Sequence, residues 1–501
     1  MCAQVTPDRV RAYPFLKTDP DERKKDFSEV QIRYTRLEVI QEAKRCLLCG
    51  TPVCQDACPV QMDVRGMCEA VSRNDIKTAY NRIRDTNALL GVTARCCPQL
   101  QSLCENACVM RWAGQAISIG MIQRFCSDWE KNDESNRQPD PVHAPGTGKH
   151  VSIVGAGPAG LAAAALFRRY GHGVTIYEEL PHTGGTAWYG IPDYHLPKDV
   201  LDYEIERIKG EGVEIRTGVK VGRDRMLTDL LSDGSDAILI ATGSKDVNKL
   251  NTPGIDLKGV YDGYGFLEGV FVNGVEEFLK HPKYELGKDI LVIGAGDTAL
   301  DDARVAKRLS GGGNVTIVYR RTQNEAPSDP IMVDEAKEEG IEFKYLANPK
   351  KFNGDEDGRL VSTTMDTMHL GEPDKTGRRG PEPMPGKEFE MKSSAVFLAV
   401  GRGPYSFLQK QAGLKMGKKD SVAVDDHFKT SMTGVFAAGD VATGETLVVK
   451  AMGSGRNAAQ RVHEYLMNIP DDRHISLYEV YFVSHSFEWM MRGEKEGIPP
   501  S

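Results

Sequence analysis

Beyond Cys126 the chain contains no cysteine, although eleven lie at or before that position. That excludes a redox-active C-x4-C or C-x2-C disulfide from the later three quarters of the sequence. No stretch of about 18 consecutive apolar residues occurs, so no helical membrane span is expected. The opening MCAQVTPDRVRAYPF has no basic region followed by an apolar core. No secretory leader is therefore expected, and a cytoplasmic location is. Basic residues do not predominate either. A formal net charge of −8 argues against nucleic acid as a partner, because binding there depends on a basic surface that releases counterions.

What is present is the composition of a soluble globular protein, 40% hydrophobic and 27% charged. The length of 501 residues is too great for one ordinary core and predicts two to four domains. The first 40 or so residues are polar, with TDPDERKKDF in the middle, and read as an extended arm or surface helix.

The cysteines are concentrated between Cys46 and Cys126. Cys46-x2-Cys49-x4-Cys54-x3-Cys58-Pro59 places four soft donors at close spacing. That suits an iron–sulfur cluster, with zinc as the alternative. Zinc ribbons separate their C-x2-C pairs by about 15–20 residues, whereas this run is compact and ends in Cys-Pro, which favours iron–sulfur. Ile76, Ala79, Ile83 and Leu89 recur at near-helical spacing and predict packing helices, with Cys68 in the core. A second group follows at Cys96-Cys97-Pro98, Cys104 and Cys108. Adjacent cysteines rarely ligate one centre together, so three thiolates remain. The fourth ligand could be another side chain or solvent, or the site could be unbuilt. Cys2 is expected to be a free thiol.

Residues 129–149, rich in proline and polar groups, read as a linker. Directly after it, a strand at Val151–Val154 enters Gly155-x-Gly157-x-x-Gly160, an alanine-rich helix follows, and a second strand ends at Glu178. This is the dinucleotide fingerprint: glycines for the turn and the close pyrophosphate approach, a helix N-terminus toward the phosphates, an acid for the ribose. TGGTAWYGIPDYHLPK reads as a loop against a flat ring, and SDAILIATGS as a buried strand running into a turn. A second fingerprint, Gly294-x-Gly296-x-x-Ala299, leads to a strand ending in Arg320-Arg321 rather than an acid. Arginine there can hold a 2′-phosphate, so NADPH is expected ahead of NADH. Two solvated arginines, with Glu325 close by, are the alternative. A charged hairpin-like insertion surrounds HLGEPDKTGRRGPEP, a strand at Ala395–Val400 leads to Gly401, and GVFAAGD ends at Gly439-Asp440. Asp440 could meet ribose or ribityl hydroxyls or serve only its turn. The aromatic and methionine cluster in the last forty residues could cover a seam or dock a partner.

In combination, CLLCGTPVCQDACP, CPQLQSLCENAC with ISIGMIQ, GAGPAGL, YGIPDYHLPK, IATGS, GAGDTALD, YRRT and GVFAAGD resemble one family. It is that of the glutamate synthase small subunit and the N-terminal half of dihydropyrimidine dehydrogenase, and the resemblance spans roughly residues 28–468. It implies an α-helical ferredoxin-like domain with two [4Fe–4S] clusters over 1–128 and, after the linker, an α/β flavoprotein with two dinucleotide-binding domains. There the FAD domain, 150–286 and 395–468, is interrupted by an NAD(P)H domain at 287–394, with a tail at 469–501. The implied cluster ligands are Cys46, Cys49, Cys54 and Cys58, then Cys97, Cys104 and Cys108 joined by Gln123. The implied cofactor-binding residues are Gly155, Gly157, Pro158, Ala159, Gly160, Glu178, Gly185, Thr186, Leu196, Ala241, Thr242, Gly243, Gly294, Gly296, Asp297, Thr298, Arg320, Arg321, Gly401, Gly439, Asp440 and Thr446. Two departures stand out: the Cys97–Cys104 interval is one residue longer than usual, and His195 replaces the customary arginine of IPxxRLPK.

The function implied is electron input, from NADPH through FAD and the clusters to a large glutamate synthase-type subunit that makes glutamate from glutamine and 2-oxoglutarate. A ferredoxin-type acceptor, or a pyrimidine or 2-oxoacid oxidoreductase complex, is the other reading. No catalytic acid or base is expected, because the cofactors carry the chemistry.

Overall fold

The computed structural model describes residues 10–98, 103–141, 143–248, 250–280, 284–373 and 379–470. Cys2, the aromatic tail from 471 onward, residues 99–102 of the second cysteine group and the tip of the charged insertion lie outside the described residues.

Residues 20–131 form helices without a sheet. The expected helical face materialises as Ile76–Arg84, which buries Ile76, Ala79, Tyr80 and Ile83. Asp75 starts it by accepting from the Thr78 backbone N–H at 3.0 Å, satisfying a donor that has no partner inside the helix. Thr35 and Glu38 form a reciprocal capping box for Arg36–Lys44. Within the presumed linker, the Ile119–Lys131 helix extends two residues past Trp129 and a 3-10 turn follows at Glu134–Asn136. The strand-free remainder is fastened down: Arg84 Nη1 donates to Pro139 O at 2.7 Å.

The first α/β unit is a five-stranded parallel sheet in the order Val435–Ala437, Ala237–Ile240, His150–Val154, Gly173–Tyr177, Val213–Arg216. The second sheet runs Val260–Asp262, Ala395–Leu398, Asp289–Ile293, Asn314–Tyr319, Glu342–Tyr345, also parallel. Val260–Asp262 and Ala395–Leu398 thus pair inside the second sheet, although sequence reasoning places them in the two parts of the first domain. The crossover between units is a short antiparallel ribbon of Ser244–Val247 with Arg402–Pro404. The charged insertion is a long hairpin, Leu360–Pro373 with Arg379–Lys392, to which Ala347–Gly354 adds a third strand.

One hydrophobic cluster runs from Val39, Met67 and Ile83 of the helical region through Leu161 and Phe167 to Leu201 and Met452 of the first α/β unit. The helical region and the flavoprotein unit therefore share a core rather than hanging on a flexible tether. They also meet at the long helix Val448–Leu466. A Cβ on Gly453 would stand 2.6 Å from Pro59 O, and one on Gly455 would stand 2.1 Å from Ala159 O, so neither position admits a side chain.

The amino-terminal arm reaches the second α/β unit. Arg23 Nε donates to Glu339 Oε1 at 2.9 Å, and Glu339 also receives Arg304 and Arg308. Lys17 pairs with Glu338 at 3.3 Å.

Candidate functional site

Two cavities meet at a common wall. A groove of about 120 Å³ follows the first dinucleotide turn and is lined by Gly155, Gly157, Pro158, Ala159, Glu178, Gly185, Thr186, Ala241, Thr242, Gly243, Asp440 and Thr446. A larger cleft of about 770 Å³ follows the second turn, lined by Gly294, Gly296, Asp297, Thr298, Arg320, Arg321 and Gly401. Thr186, Tyr264, Arg402, Glu445, Thr446 and Val448 border both. Of the expected cofactor-binding residues, Gly160, Leu196 and Gly439 line neither cavity. Gly160 lies against the turn, where a Cβ would meet Gly155 O at 2.1 Å. Gly439 donates its N–H to Ser454 Oγ at 2.9 Å, and Leu196 is wholly buried in the core.

The first groove fits an FAD. Its turn is open where a phosphate must approach: a Cβ on Gly157 would meet nothing nearer than Gly185 Cα at 3.9 Å. The hydroxyls of Thr242 and Ser244 are buried on its wall without hydrogen-bond partners among the described residues. Glu178 is held in place by accepting from Ala156 N at 2.8 Å and Leu180 N at 3.0 Å. Burial raises its pKa, which suits an acid facing ribose hydroxyls rather than water. Asp440 accepts from Thr446 Oγ1 at 2.9 Å and is pushed up to about 6 by burial.

The larger cleft fits a nicotinamide nucleotide with an extra phosphate. Arg321 Nε is buried there with no hydrogen-bond partner among the described residues. Glu325 does not neutralise the pair: its carboxylate accepts from Thr322 N at 3.1 Å and closes a capping box in its own turn. At the opposite end the cleft wall is made by Arg95, Cys96, Cys97 and Pro98 of the helical region. His195 ties that wall to the flavoprotein unit. Its Nε2 donates to Arg95 O at 2.9 Å, which requires the proton on that nitrogen, and burial takes its pKa down to about 4.

Sequence reasoning missed Tyr264 and the role of Arg402. The Arg402 guanidinium lies 3.7 Å from the Tyr264 ring centre, with Nη1 unpartnered. Their partnership spans the two sides of the crossover ribbon, so no local motif signals it.

The thiols sort differently from their order in the chain. Cys46, Cys49, Cys54, Cys68 and Cys108 line one small chamber of about 30 Å³, and Cys108 and Cys46 are the neighbours acting on Cys54. Cys97 instead faces Cys104 and Cys58. Cys58 and Cys108 therefore exchange places relative to the grouping expected from consecutive spacing. The adjacent pair differs in its neighbours: Cys104 and Cys58 act on Cys97, whereas the charged groups acting on Cys96 are Lys198, Arg95, Asp301 and Glu29. Cys68 is buried as expected and hydrogen bonds Cys46.

Burial pushes Cys54 up to about 11 and Cys97 well above the usual thiol value, so iron binding must displace protons. Among the described residues no three His, Cys, Asp or Glu side chains converge on a single metal ion. Gln123 is buried on the Ile119–Lys131 helix. Its helix is tied toward Cys104 by Glu105, which accepts from Gly120 N at 3.0 Å.

Comparison with known proteins gives this geometry its setting. Residues 149–455 match the pyridine nucleotide-disulphide oxidoreductase family, and residues 23–135 match dihydropyrimidine dehydrogenase domain II, 4Fe–4S cluster. The glutamate synthase [NADPH] small chain of Escherichia coli is 34% identical over 453 residues, which cover 89% of this chain and 95% of that one. The chain belongs to the glutamate synthase small-chain family. The corresponding protein of Azospirillum brasilense is also 34% identical, over 89% and 92% of the two chains. The solved structure of Mycobacterium tuberculosis FprA in complex with NADPH shares the fold, with a TM-score of 0.55 at 17% identity over 69% of this chain and 90% of that one.

The small-chain family accounts for both halves of the molecule. It is an FAD- and pyridine-nucleotide-dependent oxidoreductase with a 4Fe–4S helical domain, built to feed electrons to other components of a complex. The family match does not bring a redox disulfide with it, since no cysteine lies within 149–455. No described helix is long and apolar enough to cross a membrane.

Proposed function

We propose that the chain oxidises NADPH and delivers the electrons to a large subunit of the glutamate synthase type, which uses them to make glutamate from glutamine and 2-oxoglutarate. The observation that carries this reading is the continuity of the larger cleft. One cleft is lined by Arg320 and Arg321, by the Thr186, Tyr264 and Arg402 that also border the flavin groove, and by Cys97.

Bound FAD supplies two-electron hydride chemistry and the clusters supply one-electron steps. The chain's own residues do the positioning. The Gly294 turn presents the N-terminus of Asp297–Leu309 to the pyrophosphate. Arg320 and Arg321 hold the 2′-phosphate, for which a planar guanidinium is suited. Tyr264 and Arg402 separate the two nucleotides, and Glu178 and Asp440 orient the flavin's sugar and ribityl hydroxyls. Cys46, Cys49, Cys54 and Cys108 hold one cluster; Cys58, Cys97, Cys104 and Gln123 hold the other. The Arg456 guanidinium, brought down to about 10 chiefly by burial, sits close enough to Cys58 to favour extra negative charge there.

Anaerobic purification should yield about eight irons and one FAD per chain. Rapid mixing should show reduction by NADPH far faster than by NADH. Adding a glutamate synthase large subunit should then couple NADPH oxidation to glutamate formation. A preference for NADH would overturn the reading of the arginine pair. Efficient reduction of ferredoxin with no coupling to the large subunit would overturn the partner.

A further inference from the structure

We propose that Thr93 is the positioning residue for Gln123, locking its amide so that the oxygen rather than the nitrogen is presented to the second cluster. The inference rests on the reading of Gln123 as a cluster ligand. A glutamine ligates through its carbonyl oxygen, yet its two amide ends have nearly the same shape, so something must choose between them.

The surroundings choose. Gln123 Nε2 donates to Leu90 O at 2.7 Å and to Thr93 Oγ1 at 2.7 Å. Leu90 O can only accept, so the NH2 end must face it. Both N–H bonds are then used, and Oε1 is directed away from this pair. The Thr93 hydroxyl is equally committed. It donates to Leu89 O at 3.1 Å and accepts from Asn87 Nδ2 at 2.8 Å as well as from Gln123. Its proton has Leu90 O at 3.3 Å as a second acceptor, and both of its own acceptor sites are filled by the two amide donors. Thr93 is buried, so water offers no substitute acceptor.

The same residue also holds a thiol. Cys97 N donates to Thr93 O at 3.1 Å, so the carbonyl of Thr93 anchors Cys97 while its hydroxyl anchors Gln123. The two groups come from different helices, Leu90–Cys96 and Ile119–Lys131, and Thr93 sets one against the other. Groups that orient metal ligands in this way typically change affinity about 10- to 100-fold when removed.

The test uses the full chain purified anaerobically as Thr93→Val, Thr93→Ser, Gln123→Ala and Asn87→Leu, with FAD content and circular dichroism confirming the fold. In Thr93→Val, about four of about eight irons should leave to a chelator about 10- to 100-fold faster than in the parent. The electron paramagnetic resonance signal of one reduced cluster should change while the other stays as it was. Thr93→Ser should restore both properties. Asn87→Leu removes one donor to the Thr93 hydroxyl but neither Gln123 contact, and should change the same cluster's signal less than Thr93→Val does. Should Thr93→Val fail to fold, the smaller Thr93→Ala should show the same pattern. Parent-like spectra and chelation in the hydroxyl-free variant, with Gln123→Ala losing one cluster, would overturn the anchor alone. So would an equal spectral change in Asn87→Leu, which would mark general loosening. Full iron and an unchanged spectrum in Gln123→Ala would overturn the ligand reading along with the anchor.

Discussion

His172 Nε2 lies 2.8 Å from His463 Nδ1, where the start of the Gly173–Tyr177 strand meets the long helix Val448–Leu466. Tyr170 stacks on His463 at 4.0 Å between ring centres, and Thr147 Oγ1 lies 2.7 Å from His172 Nδ1. Burial takes both imidazoles down from 6.5 to about 4, and in His172 the charge of His463 adds to the effect.

The sign of the resulting pH dependence follows directly. Between pH 6.5 and about 4 the unfolded chain binds more protons at these sites than the folded one. Stability should therefore be intact above pH 6.5 and fall as the pH drops through that window. Melting temperatures measured from pH 7.5 to 4 should trace the loss. His463→Phe, which keeps the stack on Tyr170, should flatten part of the slope. His195 titrates in the same window and accounts for some of the remainder. An unchanged slope in His463→Phe would refute the assignment.

The crossed grouping of thiols makes a sharp prediction for double variants. Cys54→Ser with Cys108→Ser should strip one cluster and retain about four irons. Cys54→Ser with Cys58→Ser should strip both. Grouping by chain order predicts the reverse, so iron analysis of the two proteins decides. Cys68→Ala should retain all the irons, because four other thiols line its chamber.

Much of this was legible in the sequence, and the limit is physical. Both dinucleotide turns are local: strand, glycine turn and helix lie within 30 residues, and their function follows from backbone geometry that spacing reports. Cap residues such as Thr35 and Asp75 are local as well. The pairing of Cys108 with Cys46 and of Cys58 with Cys97 is set by helix packing across 62 and 39 residues, which spacing does not encode. Tyr264 and Arg402 meet only because the chain crosses between the sheets twice. Strand Ala395–Leu398 joins the second sheet for the same kind of reason: a buried parallel strand does not advertise which sheet it joins.

Arg321→Ala should raise the KM for NADPH about 10- to 100-fold, the worth of a charge-assisted hydrogen bond, and should alter that for NADH by less than about threefold. Steady-state kinetics with both nucleotides provide the check. Equal effects on both would place Arg321 away from the 2′-phosphate.

The amino-terminal arm is fixed by a fully buried carboxylate that serves three arginines, since the Glu339 side chain is 0% exposed and Arg23, Arg304 and Arg308 are each 1%. Burial works to raise the Glu339 pKa, but Arg304 and then Arg308 bring it to about 2. Glu339→Gln should cost about 3–5 kcal/mol in chemical denaturation, because it strands buried positive charge. Arg23→Ala should cost less, since Glu339 keeps its other two partners. A larger loss in Arg23→Ala than in Glu339→Gln would contradict this account of the arm.

The two glycines that bring the long helix against Pro59 and Ala159 have a kinetic meaning as well as a steric one. Electron tunnelling slows exponentially as the gap between donor and acceptor widens. Here the gap between the flavin's helix and the Cys58-Pro59 bend is spanned by a single helix in backbone contact on both sides. Its width is set by van der Waals contact between backbones and not by side chains that could change rotamer. The long helix thus works as a gauge block: a side chain at Gly453 or Gly455 could enter only by prising its neighbours apart.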